Sequence, residues 1–280
     1  MTSEARRSSS FAALCAVALL AQGAALGETK PQRTEPGAEI RSMLWVGNSF
    51  FYYNNSMHSH VVALGRELAA PLEVRGVSIT ISGSGLDWHD VASYLRPDAV
   101  GRYSWVANNQ IVFNKPGRQF DAVIMMDCSQ CPVHPQLKGI FHEQVKKDST
   151  IVEKYGARPI LFMSWAYKDK PEMTGQLAEQ YTMAGNANDA LVIPAGLAFA
   201  RAIAKRPGIE LYQPDKRHPS LAGTYLGAAT VFTAVTGKST VSSTYTAGLD
   251  PDLARFLRET AVETVHEYYG KAGRSQAAAK

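Results

Sequence analysis

Short apolar runs alternate with amphipathic segments along most of the chain. Strands are predicted at residues 42–46, 73–81, 122–126, 159–163 and 191–193. Helices are predicted at residues 56–68, 87–95 with Asp87 as the cap, 136–155, 172–187, 196–203, 219–235 and 252–269. Strands separated by helices indicate a parallel sheet that is covered on both faces. Ligands of such sheets bind beyond the carboxyl ends of the strands, so functional side chains are expected directly after the strands.

The amino terminus has the pattern of a secretory signal peptide. Arg6 and Arg7 precede an apolar run at residues 11–21 that is too short to span a bilayer, and small residues at 24–27 offer a cleavage site. The alternative is an amphipathic first helix, but the run is apolar on all faces. We therefore expect a periplasmic or secreted protein with no stable membrane anchor.

The remainder of the chain reads as one domain with short polar ends. Residues 1–27 are predicted to be the signal peptide, 28–38 a flexible lead-in, 39–270 the folded domain and 271–280 a disordered tail. The formal net charge of +4 is mild, and the Lys and Arg residues are scattered along the chain. This distribution does not predict a basic patch that could bind nucleic acid, and we expect no such partner.

Three polar positions follow predicted strands or precede a late helix. Ser49 stands in a Gly-Asn-Ser turn after the first strand, where a nucleophile would be exposed and fixed. Taken alone, Gly-Asn-Ser is a weak motif that favours an ordinary turn residue or helix cap. Asp215 lies three residues before His218, a spacing that lets the carboxylate orient the imidazole and leave its Nε2 free to accept a proton. The alternative is a His cap with a surface ion partner.

Two further loops could hold a developing oxyanion. Gly83 follows the second strand in a Ser-Gly-Ser-Gly turn, where its backbone N–H could point at the negative oxygen, although the turn could be an ordinary one. Gln130 follows the third strand and could donate from its side-chain amide.

The same loop contains Cys128 and Cys131. In an oxidising compartment the two can pair, and the alternatives are free thiols, a redox pair or half of a metal site with His134. Zinc usually takes four ligands, and the sequence holds no second Cys or His pair at ligand spacing. A redox pair would begin a helix after aromatic and glycine residues. A structural disulfide or free thiols are therefore favoured, and we expect no metal.

These blocks, in this order, resemble the SGNH (GDSL-like) hydrolase superfamily over about residues 42–235, and within it a bacterial branch of largely unknown function. Ser49 matches the first block in its Gly-Asn-Ser variant. Gly83, with Gly85 close behind, matches the second block. Asp215 and His218 match the fifth-block Asp-x-x-His. The third block normally carries Gly-x-Asn-Asp, whereas this chain has no asparagine at residues 127–130.

The resemblance implies a three-layer α/β/α sandwich around a mainly parallel, flavodoxin-like sheet of about five strands, and no cofactor. It implies ester hydrolysis through an acyl-enzyme on Ser49, with His218 as base and Asp215 as its orienting partner. The oxyanion would be held by the N–H groups of Ser49 and Gly83, and by Gln130 in place of the missing asparagine. An ionised Asp127 would instead repel the oxyanion.

A small-molecule or glycan ester, with acetyl as the first candidate acyl group, is the expected substrate. Two rivals remain at this point. One is a non-catalytic module of the same fold that binds carbohydrate or a partner, and it gains weight from the altered third block. The other is a thiol-redox protein that uses Cys128 and Cys131.

Overall fold

The computed structural model describes residues 29–115 and 117–271. The predicted signal peptide and all but the first residue of the predicted tail lie outside the described residues. None of the described helices is both long enough and apolar enough to cross a membrane.

A central sheet of five parallel strands confirms the predicted α/β class and strand number. The strands are β1 (Ser42–Gly47), β2 (Arg75–Thr80), β5 (Ala122–Met125), β6 (Arg158–Phe162) and β7 (Leu191–Ile193). Their order across the sheet is β2-β1-β5-β6-β7. Every residue of β1, β5 and β7 is buried, as expected of continuous apolar runs in a sheet with both faces covered. At the sheet edge, β2 is only partly buried, which explains its alternating sequence.

Helices cover both faces of this sheet, which confirms the sandwich. They are α1 (Ser49–Tyr52), α2 (Met57–Arg66), α3 (Val91–Leu95), α4 (Lys138–Lys154), α5 (Met173–Ala187), α6 (Ala195–Lys205), α7 (Leu221–Thr236) and α8 (Pro251–Tyr268). The long helices agree with their predicted positions to within a few residues. The prediction that Asp87 caps α3 is wrong, because residues Leu86–Trp88 form a separate 3-10 turn. Asp90 is the cap, and its side chain accepts a hydrogen bond from the Ser93 N–H.

The described part of the predicted flexible lead-in contains no helix or strand, yet it is tied to the domain. Arg33 forms an ion pair with Asp189, and the guanidinium of Arg158 donates to the carbonyl oxygens of Pro36 and Ala38. The segment was predicted to be a flexible linker because it is rich in proline and polar residues. The anchoring side chains lie more than a hundred positions away, where local pattern cannot show them.

A small antiparallel ribbon, absent from the predictions, is inserted between α3 and β5. It consists of β3 (Tyr103–Val106) and β4 (Gln110–Phe113), joined by a turn in which Asn108 and Asn109 have φ of 61° and 56°. Asparagine tolerates this left-handed conformation better than most residues. At the base of the ribbon the Asn114 side chain donates to the Gly101 carbonyl, and Gly101 lies against Phe120, which comes just before β5. The ribbon therefore lies at the amino ends of the strands.

Candidate active site

Ser49 begins α1 directly beyond the carboxyl end of β1. A Cβ at Gly47 would lie 2.9 Å from the Phe51 ring, so the turn into the helix needs a glycine. Asn48 is the N-cap, and its Oδ1 accepts a hydrogen bond from the Phe50 N–H. The turn leaves Ser49 mostly buried, with 7% of its surface exposed. Its Oγ lies 2.8 Å from His218 Nε2.

Asn48 also joins three loops at this edge of the sheet. Its Nδ2 donates to the carbonyl oxygens of Ser84 and Asp127, at 3.0 and 3.2 Å. Those residues follow β2 and β5, so the side chain holds the loops of the first, second and third blocks together. The amide donates two hydrogen bonds while accepting a third. A carboxylate could not do this, which explains why asparagine stands where the resembling first block usually has aspartate.

Asp215 and His218 meet within one loop before α7. Asp215 Oδ2 lies 2.5 Å from His218 Nδ1, and Oδ1 accepts hydrogen bonds from the N–H groups of Arg217 and His218, both at 2.9 Å. Partial desolvation raises the pKa of Asp215, but these hydrogen bonds outweigh it and lower the pKa below its ordinary value. Because Nδ1–H is directed at an ionised carboxylate, Nε2 is left as the acceptor that faces Ser49.

Aromatic side chains that the sequence analysis missed hold His218 in place. The Tyr53 ring stacks on the imidazole with centroids 4.3 Å apart, and Phe50 approaches edge-on at 5.5 Å. Trp165 is fully buried, stacks on Phe50 at 4.7 Å and donates from Nε1 to the Arg217 carbonyl at 3.0 Å. The signal in the sequence was the uninterrupted aromatic run at residues 50–53 directly after the serine.

The second-block loop is anchored to the first. The Ile81 N–H donates to the Gly47 carbonyl, and the buried Ser84 hydroxyl donates to the same oxygen. Gly83 has φ of +73° and open space at its Cβ position, so it is an exposed turn glycine. Gly85 is buried, and a Cβ there would lie 2.9 Å from Asp127 Oδ1. Gly85 is thus the glycine enclosed between the second and third loops, and Gly83 lies at their surface.

Gln130, the predicted third oxyanion donor, lies in the loop after β5. Its Nε2 donates to the Tyr167 hydroxyl at 2.9 Å, and Ser129 Oγ contacts the same hydroxyl at 2.7 Å. The Arg217 guanidinium lies 4.8 Å above the Tyr167 ring, one residue before His218. Gln130 is therefore linked to the histidine loop through Tyr167, and its role toward an oxyanion stays a prediction.

Cys128 and Cys131 form a disulfide, with their Cα atoms 5.2 Å apart. The Asp127 carboxylate and both sulfur atoms lie within 4.8 Å of one another, a cluster that could suggest a metal site. The sulfur atoms are bonded to each other and offer no thiolate, so this donor set does not suit zinc.

Asp127 is a buried carboxylate at the third block. Its Oδ1 accepts hydrogen bonds from the N–H groups of Leu86 and Cys128, at 2.9 and 2.7 Å. Desolvation by burial outweighs these hydrogen bonds and raises the pKa of Asp127 to about 6. A group with this pKa is mostly ionised at neutral pH, so it does not act there as a hydrogen-bond donor.

The described residues thus bring Ser49, His218 and Asp215 into one continuous hydrogen-bonded relay. A hydroxyl, an imidazole and a carboxylate in this order can transfer a proton away from the serine as it attacks a carbonyl carbon.

Comparisons with known proteins agree with this fold. No family model matches the chain, and no curated protein does. A DUF4886 family protein from Bacteroides uniformis superposes with a TM-score of 0.57 over 82% of this chain and 96% of its own, at 17% identity. A Slackia heliotrinireducens protein assigned provisionally to the SGNH hydrolases gives 0.50 at 21% identity, covering 69% of this chain and 98% of its own.

A catalytic mutant of an acetylxylan esterase from Geobacillus stearothermophilus gives a TM-score of 0.51 at 14% identity, over 70% of this chain and 94% of its own. At such identities the likeness establishes the fold and no more. This chain has the fold of the SGNH hydrolases, as its sequence blocks imply.

Replacing Asn48 by aspartate tests the joint between the three loops. The carboxylate of Asn48→Asp would face two carbonyl oxygens and leave both without a donor, so we expect the free energy of unfolding to fall by about 3 kcal/mol at neutral pH. Urea denaturation measures this loss. Asn55→Asp is the matched control, since Asn55 is exposed and has a left-handed φ that aspartate tolerates. Equal stability of the two variants would contradict the role given to Asn48.

Asp127 should make stability depend on pH. Its pKa is raised in the folded protein, so the folded state holds the proton more tightly than the unfolded chain does. Wild-type stability should therefore decline as pH rises from about 4 to about 7, by up to about 3 kcal/mol from this group. Asp127→Asn lacks that titration, so its free energy of unfolding relative to wild type should increase over the same interval. Urea denaturation at several pH values checks this, and parallel curves would refute it.

Proposed function

We propose that this protein is a serine esterase in which Ser49 is the nucleophile. The observation that supports it is the relay from Ser49 Oγ through the imidazole of His218 to the carboxylate of Asp215, with contacts of 2.8 and 2.5 Å. A module that only binds a ligand has no need to align these three groups. The non-catalytic alternative keeps one supporting fact, the absence of asparagine in the third block.

In the proposed reaction, Ser49 Oγ attacks the acyl carbon of the ester while His218 Nε2 accepts the hydroxyl proton. The tetrahedral intermediate collapses to an acyl-enzyme, and His218 returns the proton to the departing alcohol. Water then attacks the acyl group, again losing a proton to His218, and the acid is released as Ser49 regains its proton. Asp215 orients the imidazole and stabilises its charged form in both steps.

The first turn of α1 supplies one donor for the oxyanion. The N–H groups of Phe50 and Phe51 both donate hydrogen bonds to oxygen atoms of Asn48. Asn48 therefore leaves the Ser49 N–H free to donate to the oxyanion. We assign the second donor to a backbone N–H of the loop that contains Gly83 and Gly85. Gln130 is assigned as the third, in place of the usual asparagine.

The proposed substrate is an ester with a small acyl group, and an acetylated glycan is the first candidate. Ser49 is only 7% exposed, and the rings of Phe50 and Tyr53 lie against its partner His218, which leaves little room for a long acyl chain. The acetylxylan esterase with the same fold acts on such an ester. We further propose export to the periplasm or the medium, on the pattern of residues 1–27.

A fluorophosphonate probe tests the nucleophile. Wild-type protein should gain one adduct on Ser49, located by mass spectrometry of its peptides, and the adduct should disappear in Ser49→Ala and His218→Ala. Both variants should lose turnover of a short-chain ester by about 10⁴-fold or more. Asp215→Ala should lose less, because the Asp215 side chain is 44% exposed and water can partly replace it.

Lys216→Asn is the control for the same loop, because this exposed residue has φ of 66°, which asparagine tolerates. It should label and turn over as wild type does. A folded wild-type protein whose Ser49 stays unlabelled would favour the binding module.

The third oxyanion donor is tested with a pair of variants. Gln130→Ala should lower kcat about 100-fold with little change in KM, since an oxyanion donor acts mainly in the transition state. Ser129→Ala removes the other partner of the Tyr167 hydroxyl and should leave kcat within a few-fold of wild type. Equal small losses would show that Gln130 only supports Tyr167 and that the hole is built elsewhere.

A further inference from the structure

The ribbon of β3 and β4 carries an apolar face that the rest of the described chain does not cover. Its cross-strand pairs place Tyr103 opposite Phe113 and Trp105 opposite Ile111, so all four side chains lie on one face. Their exposures are 52%, 70%, 66% and 48% in that order. Four of the thirteen large exposed apolar side chains among the described residues thus lie together on this face. Such clustering marks an interaction site, whereas singly scattered apolar residues would need no explanation.

The ribbon stands away from the domain that carries it. Among the described helices and strands, β3 and β4 pack substantially only on each other. An isolated two-stranded ribbon is marginally stable in water, and it gains stability when its apolar face is covered.

The edges of the ribbon are also open to pairing. The Asn114 N–H donates to the Arg102 carbonyl, so the alternation of an antiparallel pair directs the backbone groups of Tyr103 and Trp105 outward. Natural proteins usually guard such an edge with charged residues or proline. Residues 103–113 contain neither.

We propose that two copies of this chain associate through their ribbons, with the apolar faces packed against each other about a two-fold axis. The three aromatic rings and Ile111 expose on the order of 500 Å² per chain, so two copies would bury about 1,000 Å², the lower bound for a specific interface. A surface without charge has no repulsion against its own copy. The polar turn at Asn108 and Asn109, at the tip of the hairpin, argues against insertion of the ribbon into a membrane.

The association leaves the proposed active site accessible. The ribbon lies at the amino ends of the strands, next to Phe120 and the start of β5, whereas Ser49 and His218 lie beyond the carboxyl ends. Each chain of the dimer keeps a complete relay, so the inference does not depend on the proposed function.

Light scattering on size-exclusion chromatography of the protein, produced from its full sequence, tests the association. Wild type should have twice the mass of one chain. Trp105→Lys and Phe113→Lys, on opposite strands of the same face, should each weaken association by about 30-fold or more and be monomeric at the same concentration. Ile140→Lys is the control, because Ile140 is 44% exposed on α4 and should leave the dimer intact. Circular dichroism shows whether each variant is folded.

Photo-crosslinking keeps the test decisive if a lysine variant does not fold. With Trp105 replaced by p-benzoylphenylalanine, irradiation of mixed isotope-labelled and unlabelled chains should join residues 103–113 of two copies. A monomeric wild type, a dimer that persists in both lysine variants, or crosslinks to other surfaces would overturn the inference. Co-sedimentation of monomeric wild type with phosphatidylglycerol vesicles would assign the face to lipid instead.

Discussion

The buried indole of Trp165 connects the two parts of the relay that lie far apart in the chain. Its ring is stacked between Phe50 and Phe199, with centroids 4.7 and 4.2 Å away, and its N–H donates to the Arg217 carbonyl. Phe50 follows the nucleophile, and Arg217 precedes the histidine. The contact between Ser49 and His218 joins positions 169 residues apart, and Trp165 contacts both of the chain segments that carry them.

Hydrogen bonds, together with the aromatic packing, hold the loops of the site in place. Asn48 binds two carbonyl oxygens and one N–H at the point where three loops meet, so each loop limits the position of the other two. Asp127, buried beside Gly85, is the opposite case, because its burial raises its pKa and costs stability at neutral pH. Buried polar groups of this kind tolerate few substitutions, since each one removed leaves a partner without a hydrogen bond.

The two ends of the sheet have different roles. At the carboxyl ends, α1 and the loops after the strands present the hydrogen-bonded side chains of the relay. At the amino ends, Asp121 accepts hydrogen bonds from the N–H groups of Arg41 and Ser42 and so joins the entries of β1 and β5. The ribbon is inserted on this side, and an interface there would not disturb the relay. Because all five strands of the sheet are parallel, the loops at their carboxyl ends and the ribbon at their amino ends lie at opposite edges of the sheet.

The sequence by itself determined the α/β class, the five strands of the central sheet and the residues of the relay. Buried strands such as β5 and β6 were predicted within a residue, because continuous apolar runs directly record burial on both faces. Asp215 and His218 are three positions apart, so their contact is local.

Only the tertiary structure brought Ser49 to His218, enclosed Gly85 in place of Gly83 and directed Gln130 to Tyr167. The tertiary structure also revealed the ribbon. Its apolar residues are exposed, so its strands do not show the usual alternation of buried apolar and solvent-exposed polar residues. The local pattern of apolar and polar residues indicates how deeply each segment is buried. Which side chains contact one another depends on the order of the strands in the sheet. That order is set by contacts between distant positions of the chain.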